Sequence, residues 1–99
     1  MVLEQFRRGA VRVHVLHHAA EGDIHGAWMS DELARHGHHV SPGTLYPLLH
    51  RMEDDGLLVS RQQVVEGRVL RVYTATNRGL EELAACRHAL RELADEVLA

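Results

Sequence analysis

One predicted helix carries exposed side chains of the kinds that read DNA. Between residues 41 and 56, apolar and polar positions separate with helical spacing, which predicts one buried face and one exposed face. The exposed face offers groups that can bind phosphates, base edges and thymine methyls in a major groove. The candidate DNA contacts from this helix are Ser41, Gly43, Thr44, Tyr46, Pro47, His50 and Arg51. The alternative is a solvated structural helix, which an exposed aromatic ring and an exposed proline argue against.

Arginines occur in the segment that follows this helix. Arg68 and Arg71 lie beside the predicted tip of a hairpin, and Arg61 lies on its first strand. Guanidinium groups bind phosphate oxygens in a bidentate way and enter narrow minor grooves. Arg68 and Arg71 are therefore further candidate DNA contacts. The alternative is that both are solvated or paired with Glu66.

Histidine is unusually frequent, with nine in 99 residues. His14 and His18 are four residues apart in a predicted helix, the spacing that places two imidazoles on one metal ion. His17 and Glu21 have the same spacing, and a second group lies in the turn near residues 36, 38 and 39. The pattern predicts a site for a divalent transition metal such as Zn²⁺, with His14 and His18 as first choice and His17 and Glu21 as second. Ordinary surface histidines are the alternative.

The helix with the candidate DNA contacts has sequence signals at both ends. Ser41 is a favourable N-cap, because its hydroxyl can accept an unpaired backbone N–H. Pro42 suits the first helical position, and Gly56 suits a left-handed end. The predicted buried face consists of Leu45, Leu48, Leu49 and Met52. The acids at residues 53–55 are predicted to be a solvated helix end and not a catalytic pair.

The remaining segments predict the elements that position these residues. Helical patterns cover residues 3–20 and 25–35, and two alternating segments at 57–65 and 68–74 predict strands joined by a two-residue turn at 66–67. Thr76 is placed to cap a last helix that extends to about Leu98. The order helix, helix, helix, hairpin, helix predicts an α+β, mostly helical winged helix-turn-helix.

The first and last helices have more apolar surface than one small domain can bury. The apolar residues of the last helix recur at alternating three- and four-residue spacing over two heptads, enough for pairing against the first helix of a partner. The sequence therefore predicts N-terminal and C-terminal dimerisation helices in a homodimer. The candidate contacts are Phe6, Val13, Leu83, Cys86, Leu90, Leu93 and Val97.

Composition limits the classes of protein that fit. The 99 residues predict a single domain over 1–99, with 75–99 as the dimerisation helix. The formal net charge is −3, so DNA binding would depend on local positive charge. Short apolar segments, no secretory pattern and one cysteine predict a cytoplasmic protein without membrane contact. No nucleophile motif or glycine-rich phosphate loop is present, so we expect no enzyme and no required cofactor.

These motifs carry a family resemblance. Residues 41–58, SPGTLYPLLHRMEDDGLL, resemble the recognition-helix motif of the PadR family of bacterial transcriptional regulators. The resemblance extends from about Arg8 to Leu98 and includes Ile24-His25-Gly26, a glycine-tipped wing and a leucine-rich last helix. Two positions depart from the family pattern. Ala27 follows the His-Gly pair where the family often has an aromatic residue, and the wing, GRVLRVY at 67–73, has fewer positive charges.

The resemblance implies a dimeric winged-helix repressor. We expect sequence-specific binding to a palindromic operator in double-stranded DNA, with a small molecule or a metal as effector. The first alternative is a metal-responsive regulator, of the Zn or Cd type, that senses through its histidines. The second is a winged-helix module that binds protein instead of DNA, which the net negative charge would favour and the face with Tyr46 and Arg51 opposes.

Overall fold

Four helices and a three-stranded antiparallel sheet make up the chain, and the computed structural model describes all residues from Met1 to Ala99. The elements are α1 (Val2–Glu21), β1 (Ile24–His25), α2 (Gly26–Arg35), α3 (Pro42–Asp54), β2 (Leu58–Val65), β3 (Arg68–Ala75) and α4 (Asn77–Val97). Helices α2 and α3 form the helix-turn-helix, and the hairpin of β2 and β3 forms the wing. The predicted α+β, mostly helical winged helix-turn-helix is confirmed.

The hydrophobic core lies where the first three helices meet the sheet. The predicted apolar face of α3 is buried, with Leu45 and Leu49 fully inaccessible to solvent. It packs in one cluster with residues from α1, α2 and the sheet, among them Val15, Leu16, Met29, Leu33, Leu58 and Tyr73. The core therefore holds α3 by one face and leaves the opposite face in solvent.

The two ends of α3 follow the sequence signals with one exception. Pro42 occupies the first turn, and Gly56 adopts a left-handed conformation with φ of 80°. The Ser41 side chain does not cap the helix, so the predicted hydroxyl cap is wrong. Its hydroxyl instead donates to Thr44 Oγ1 at 3.3 Å, while the Ser41 carbonyl accepts the N–H groups of Thr44 and Leu45.

The wing is a regular hairpin. Leu58 pairs with Ala75 at its base and Val65 pairs with Arg68 at its tip, next to the predicted two-residue turn. Glu66 and Gly67 both have positive φ, 51° and 76°, as the favoured tight hairpin turns require. The register is therefore fixed at the tip by the turn and at the base by burial of Leu58.

A third strand was not predicted from the sequence. Ile24 and His25 form β1, which pairs with β3 opposite Tyr73 and Val72. Helix α2 consequently begins at Gly26 and not at His25. His25 is its N-cap, and its Nδ1 accepts the backbone N–H of Trp28 at 3.4 Å.

Hydrogen bonds join the end of α3 to the hairpin. The Glu53 carboxylate accepts the Ser60 N–H at 2.9 Å and the Ser60 hydroxyl at 2.7 Å. The predicted solvated helix end is thus wrong for Glu53, although Asp54 and Asp55 are exposed. Because β2 begins only four residues after α3 ends, this contact fixes the direction of the wing relative to α3.

Helix α4 begins as predicted. The Thr76 hydroxyl accepts the Gly79 N–H at 3.0 Å and donates to the Gly56 carbonyl at 2.6 Å. Only Gly79 and Leu83 of this helix are buried, so its outer half has little support from its own chain. None of the four helices combines the length and the apolar character that crossing a membrane would need.

Candidate nucleic-acid interface

The exposed face of α3 contains the predicted side chains. All seven predicted contacts from this helix are exposed, namely Ser41, Gly43, Thr44, Tyr46, Pro47, His50 and Arg51. Pro42 has no N–H, and the N–H groups of Thr44 and Leu45 donate to the Ser41 carbonyl. The N–H of Gly43 is therefore the free donor at the helix start. A helix N-terminus with a free donor favours an anion such as a phosphate.

The Tyr46 ring lies against the backbone of Gly26 at the start of α2. A Cβ atom at Gly26 would come within 2.6 Å of both Cζ and Oη of Tyr46, a separation that real structures do not tolerate. Gly26 is itself buried, whereas Tyr46 keeps 43% of its surface exposed. The glycine therefore lets the ring lie across α2 while its remaining surface faces solvent.

The two predicted wing arginines lie on opposite faces of the hairpin. Arg68 and Arg71 are three residues apart, and alternate side chains of a strand point to opposite faces. Arg71 Nη1 donates to Ser60 Oγ at 3.0 Å, so it belongs to the same network as Glu53. Arg68 makes no hydrogen bond or ion pair and is the free cation at the tip.

Arg61 forms an ion pair with Asp23 and keeps 56% of its side chain exposed. Its Nη1 donates to Asp23 Oδ1 at 3.0 Å, across the sheet from β1. The hydrogen bond from Arg61 lowers the pKa of Asp23 and raises that of Arg61. Of the three wing arginines, Arg68 and Arg71 therefore have no acidic partner.

The rest of the wing tip is apolar. Val64 and Val69 pair across the strands with 70% and 64% of their surfaces exposed. Such a tip can contact sugars and groove walls but contributes little electrostatic attraction. The positively charged groups at the exposed surface are therefore those of α3 and the arginines of the wing.

The sequence model of the PadR-like family of transcriptional regulators matches residues 15–85. This chain belongs to the PadR-like family. The match begins within α1 and includes the whole helix-turn-helix, the wing and the start of α4.

Individual relatives support the assignment. The chain is 62% identical over 96 residues to the transcriptional regulator Rv3488 of Mycobacterium tuberculosis, covering 97% of this chain and 90% of that protein. A PadR-like transcriptional regulator from Bacillus cereus (BC4206) superposes with a TM-score of 0.86 at 27% identity, over 94% of this chain and 92% of that one. A PadR family regulator from Eggerthella lenta superposes with a TM-score of 0.83 at 31% identity, over 97% and 85%. This PadR-like chain is thus a transcriptional regulator with a winged helix-turn-helix.

The predicted dimerisation residues of this PadR-like regulator surround an open groove between α1 and α4. The groove has a volume of about 880 Å³ and is lined by six of them, Phe6, Val13, Leu83, Cys86, Leu90 and Leu93. Phe6, Leu90 and Val97 are about half exposed or more, while Val13 packs partly against the core. Leu83 differs from the others, because with 2% exposure it belongs to the core of its own chain and contributes only to the floor of the groove.

Cys86 in this groove is a poor nucleophile. It is half-buried, and burial, with a smaller contribution from Glu82, raises the pKa of its thiol. The thiol therefore stays protonated at neutral pH and acts as an apolar side chain.

The two predicted histidine groups meet in space. The His14 ring lies 4.9 Å from His36 and 5.2 Å from His38, so α1 contacts the turn before α3. Burial, followed by the nearby imidazoles of His36, His38, His18 and His17, lowers the pKa of His14. His14 and His18, the first-choice metal pair, stack nearly parallel at 6.4 Å. The donor atoms that converge belong instead to His17, His18 and Glu21.

Sequence reasoning missed the residues that position the interface. Gly26, Asp23 and Ser60 each act through a partner at least seven residues away, and none has a periodic pattern that would reveal the pairing. In the sequence, Gly26 stands out only as part of the His25-Gly26 pair that resembles the family pattern. Its function in this fold is to make room for Tyr46.

Proposed function

We propose that this PadR-like regulator binds a palindromic operator in double-stranded DNA as a homodimer and represses the adjacent genes. The observation that carries the proposal is the exposed face of α3, whose polar and aromatic groups point away from a fully buried apolar face. Residues 41–52 include no acid, so the net charge of −3 is located elsewhere in the chain. Local charge and not net charge decides attraction to DNA at such a face.

Each part of the face has a distinct task in the proposed complex. The N-terminal end of a recognition helix enters the major groove first, which places Gly43 and Thr44 near phosphates or base edges. Tyr46 offers a ring for a thymine methyl and a hydroxyl for a phosphate. Arg51 and Arg68 supply positive charge to the backbone of the DNA, one from the helix and one from the wing.

A second copy of the chain is the partner that fits α4. Residues 84–97 of this helix include no buried residue, although Leu90 and Leu93 continue an apolar stripe. Most of the stability of a helix in a protein comes from packing of its apolar face, so residues 84–97 need a surface to pack against. A two-fold dimer would cover the stripe and would place two copies of α3 roughly 34 Å apart, in successive major grooves.

The operator itself tests the proposal. Capture of genomic fragments by the purified protein, followed by sequencing, should yield a two-fold symmetric site upstream of regulated genes. Inserting about five base pairs between its half-sites turns one half-site to the opposite side of the duplex and should abolish tight binding. A reporter downstream of the site should be expressed more strongly when the regulator is deleted. Capture of no fragment above background would refute DNA binding, and lower expression on deletion would refute repression.

Two kinds of contact should respond differently to mutation. Thr44→Ala and Tyr46→Ala should each weaken operator binding by about 1–3 kcal/mol if they contact base edges, with little effect on unrelated DNA. Arg68→Ala should weaken binding to both DNAs and reduce the slope of log affinity against log salt by about one. Fluorescence anisotropy at several salt concentrations measures both quantities.

Arg91→Ala is the matched control for Arg68. Arg91 is an exposed arginine on α4, outside the groove and far along the chain from the DNA face. Its removal changes the net charge equally and should leave the salt slope unchanged. Parent-like operator binding by all three interface variants would place the DNA contacts on another surface.

Gly26→Ala should displace the Tyr46 ring. A methyl group at Gly26 would overlap the ring, and such overpacking costs about 1–3 kcal/mol of stability. Because the ring must rotate away from α2, operator affinity should fall about as much as in Tyr46→Ala. Urea denaturation and anisotropy measure the two effects separately.

A double-mutant cycle distinguishes displacement of the ring from general damage. In the Tyr46→Ala background the added methyl meets no ring, so Gly26→Ala should cost little further affinity or stability. Equal losses in both backgrounds would show that Gly26 acts independently of Tyr46.

A further inference from the structure

Three donor atoms near the end of α1 converge on one point. His17 Nε2 lies 3.4 Å from Glu21 Oε1, and His18 Nδ1 lies 3.7 Å from the same oxygen. All three donor atoms are within 4.8 Å of one another. His18 is the most buried of the three, and its ring meets the Trp28 ring edge-on at 5.2 Å, which restricts its orientation.

These separations suit a tetrahedral metal ion. Zinc binds imidazole nitrogen and carboxylate oxygen at about 2.0–2.2 Å, so neighbouring ligands of a tetrahedron lie roughly 3.4 Å apart. The two edges to Glu21 already have nearly this length, and the His17–His18 edge is no longer than 4.8 Å. Two imidazoles and one carboxylate favour a borderline-soft divalent ion over Mg²⁺ or Ca²⁺.

We propose that His17, His18 and Glu21 bind a divalent transition metal such as zinc, and that the metal breaks the contact between His17 and Arg87. A water molecule completes the coordination, because His17 and Glu21 are open to solvent. Of the four metal ligands predicted from the sequence, the site uses His17, His18 and Glu21 and leaves out His14.

The coupling follows from the two nitrogens of one imidazole. Arg87 Nη2, on α4, lies 3.3 Å from His17 Nδ1. A guanidinium can only donate, so Nδ1 accepts and neutral His17 carries its proton on Nε2, directed at Glu21. A metal on Nε2 requires the lone pair there, and solvent exchange then leaves the proton on Nδ1. Two donors would face each other, and Arg87 would leave.

This change would reach the groove where a second copy docks in the proposed dimer. His17 and Arg87 both line the groove between α1 and α4. Any effect on operator affinity rests on the proposed function, whereas metal binding and loss of the Arg87 contact do not. Both can be measured on the protein without DNA.

Calorimetric titration of the purified protein with Zn²⁺ tests the site. We expect the parent to bind one ion per chain. His18→Ala and Glu21→Gln should each lower the zinc affinity by more than about tenfold to a hundredfold, because that is the loss caused by removing a group that only hydrogen-bonds to a ligand. Glu21 is exposed, so its variant should fold even if His18→Ala does not. His88→Ala is the control, because His88 is a solvated histidine on α4 and its loss should change nothing. No heat from the parent, or equal affinity in all four proteins, would overturn the site.

Arg87→Ala tests the coupling. Without the arginine no hydrogen bond must break, so zinc should bind roughly two- to tenfold more tightly. Nitrogen-15 NMR of the imidazoles should show the His17 proton move from Nε2 to Nδ1 when zinc is added to the parent. An unchanged affinity in Arg87→Ala, or a proton that stays on Nε2, would overturn the coupling.

Discussion

Gly79→Ala is expected to lower the free energy of unfolding by about 3 kcal/mol, the upper end of the cost of overpacking. A Cβ atom at Gly79 would overlap the Leu57 carbonyl oxygen and lie 3.1 Å from its carbon. That carbonyl cannot turn away, because it accepts the Thr76 N–H at 3.1 Å. Gly79 cannot retreat either, since its own N–H is held by the Thr76 hydroxyl. The methyl group must therefore disrupt the hydrogen bonds of Thr76 with the Leu57 carbonyl and the Gly79 N–H, which hold the start of α4 against the wing.

Urea denaturation at a fixed protein concentration measures this loss, since association would change apparent stability. Gly43→Ala is the control, because its Cβ would have only the Ser41 Oγ nearby, at 3.9 Å. Alanine should be neutral there or stabilise the helix by up to about 1 kcal/mol. A Gly79 variant as stable as the parent would mean that α4 can shift away from β2 without cost.

Much of this fold was predictable from local signals. Pro42 and Gly56 mark the limits of α3, and the Glu66-Gly67 turn sets the hairpin, because each acts within a few residues of itself. Strand β1 was not predictable. Two residues are too few to show alternation, and Ile24–His25 becomes a strand only because β3 lies beside it.

The candidate interface was only partly predictable, because the sequence shows local patterns but not contacts between distant elements. Helical spacing alone identifies which side of α3 faces solvent. It does not reveal that Arg61 is bound to Asp23, 38 residues away, or that Gly26 accommodates Tyr46. Spacing also favoured His14 and His18 as the metal ligands, whereas the side-chain conformations bring together the donor atoms of His17, His18 and Glu21. Contacts between elements decide such pairings, and one periodic pattern does not contain them.

Leu90→Asp is expected to convert the proposed dimer into folded monomers. Leu90 keeps 45% of its surface exposed in the protomer, so an aspartate there remains hydrated in the monomer. In the dimer the carboxylate would be buried without a partner. Such a charge costs roughly 3–5 kcal/mol, which raises the dissociation constant of the dimer about a hundredfold or more. Sedimentation velocity measures the mass, and circular dichroism checks the fold.

Ala84→Asp is the matched control, because Ala84 is exposed on the same helix and does not line the groove. It adds the same charge and should leave the dimer intact. The two variants then separate association from DNA recognition, since a monomer presents one copy of α3 to one half-site. Leu90→Asp should lose tight binding to the full operator while keeping weak binding to DNA. If the variant is monomeric and still binds the full operator like the parent, the two-fold arrangement is wrong. If it remains a dimer, the interface lies elsewhere, and the first helix alone becomes the surface to mutate.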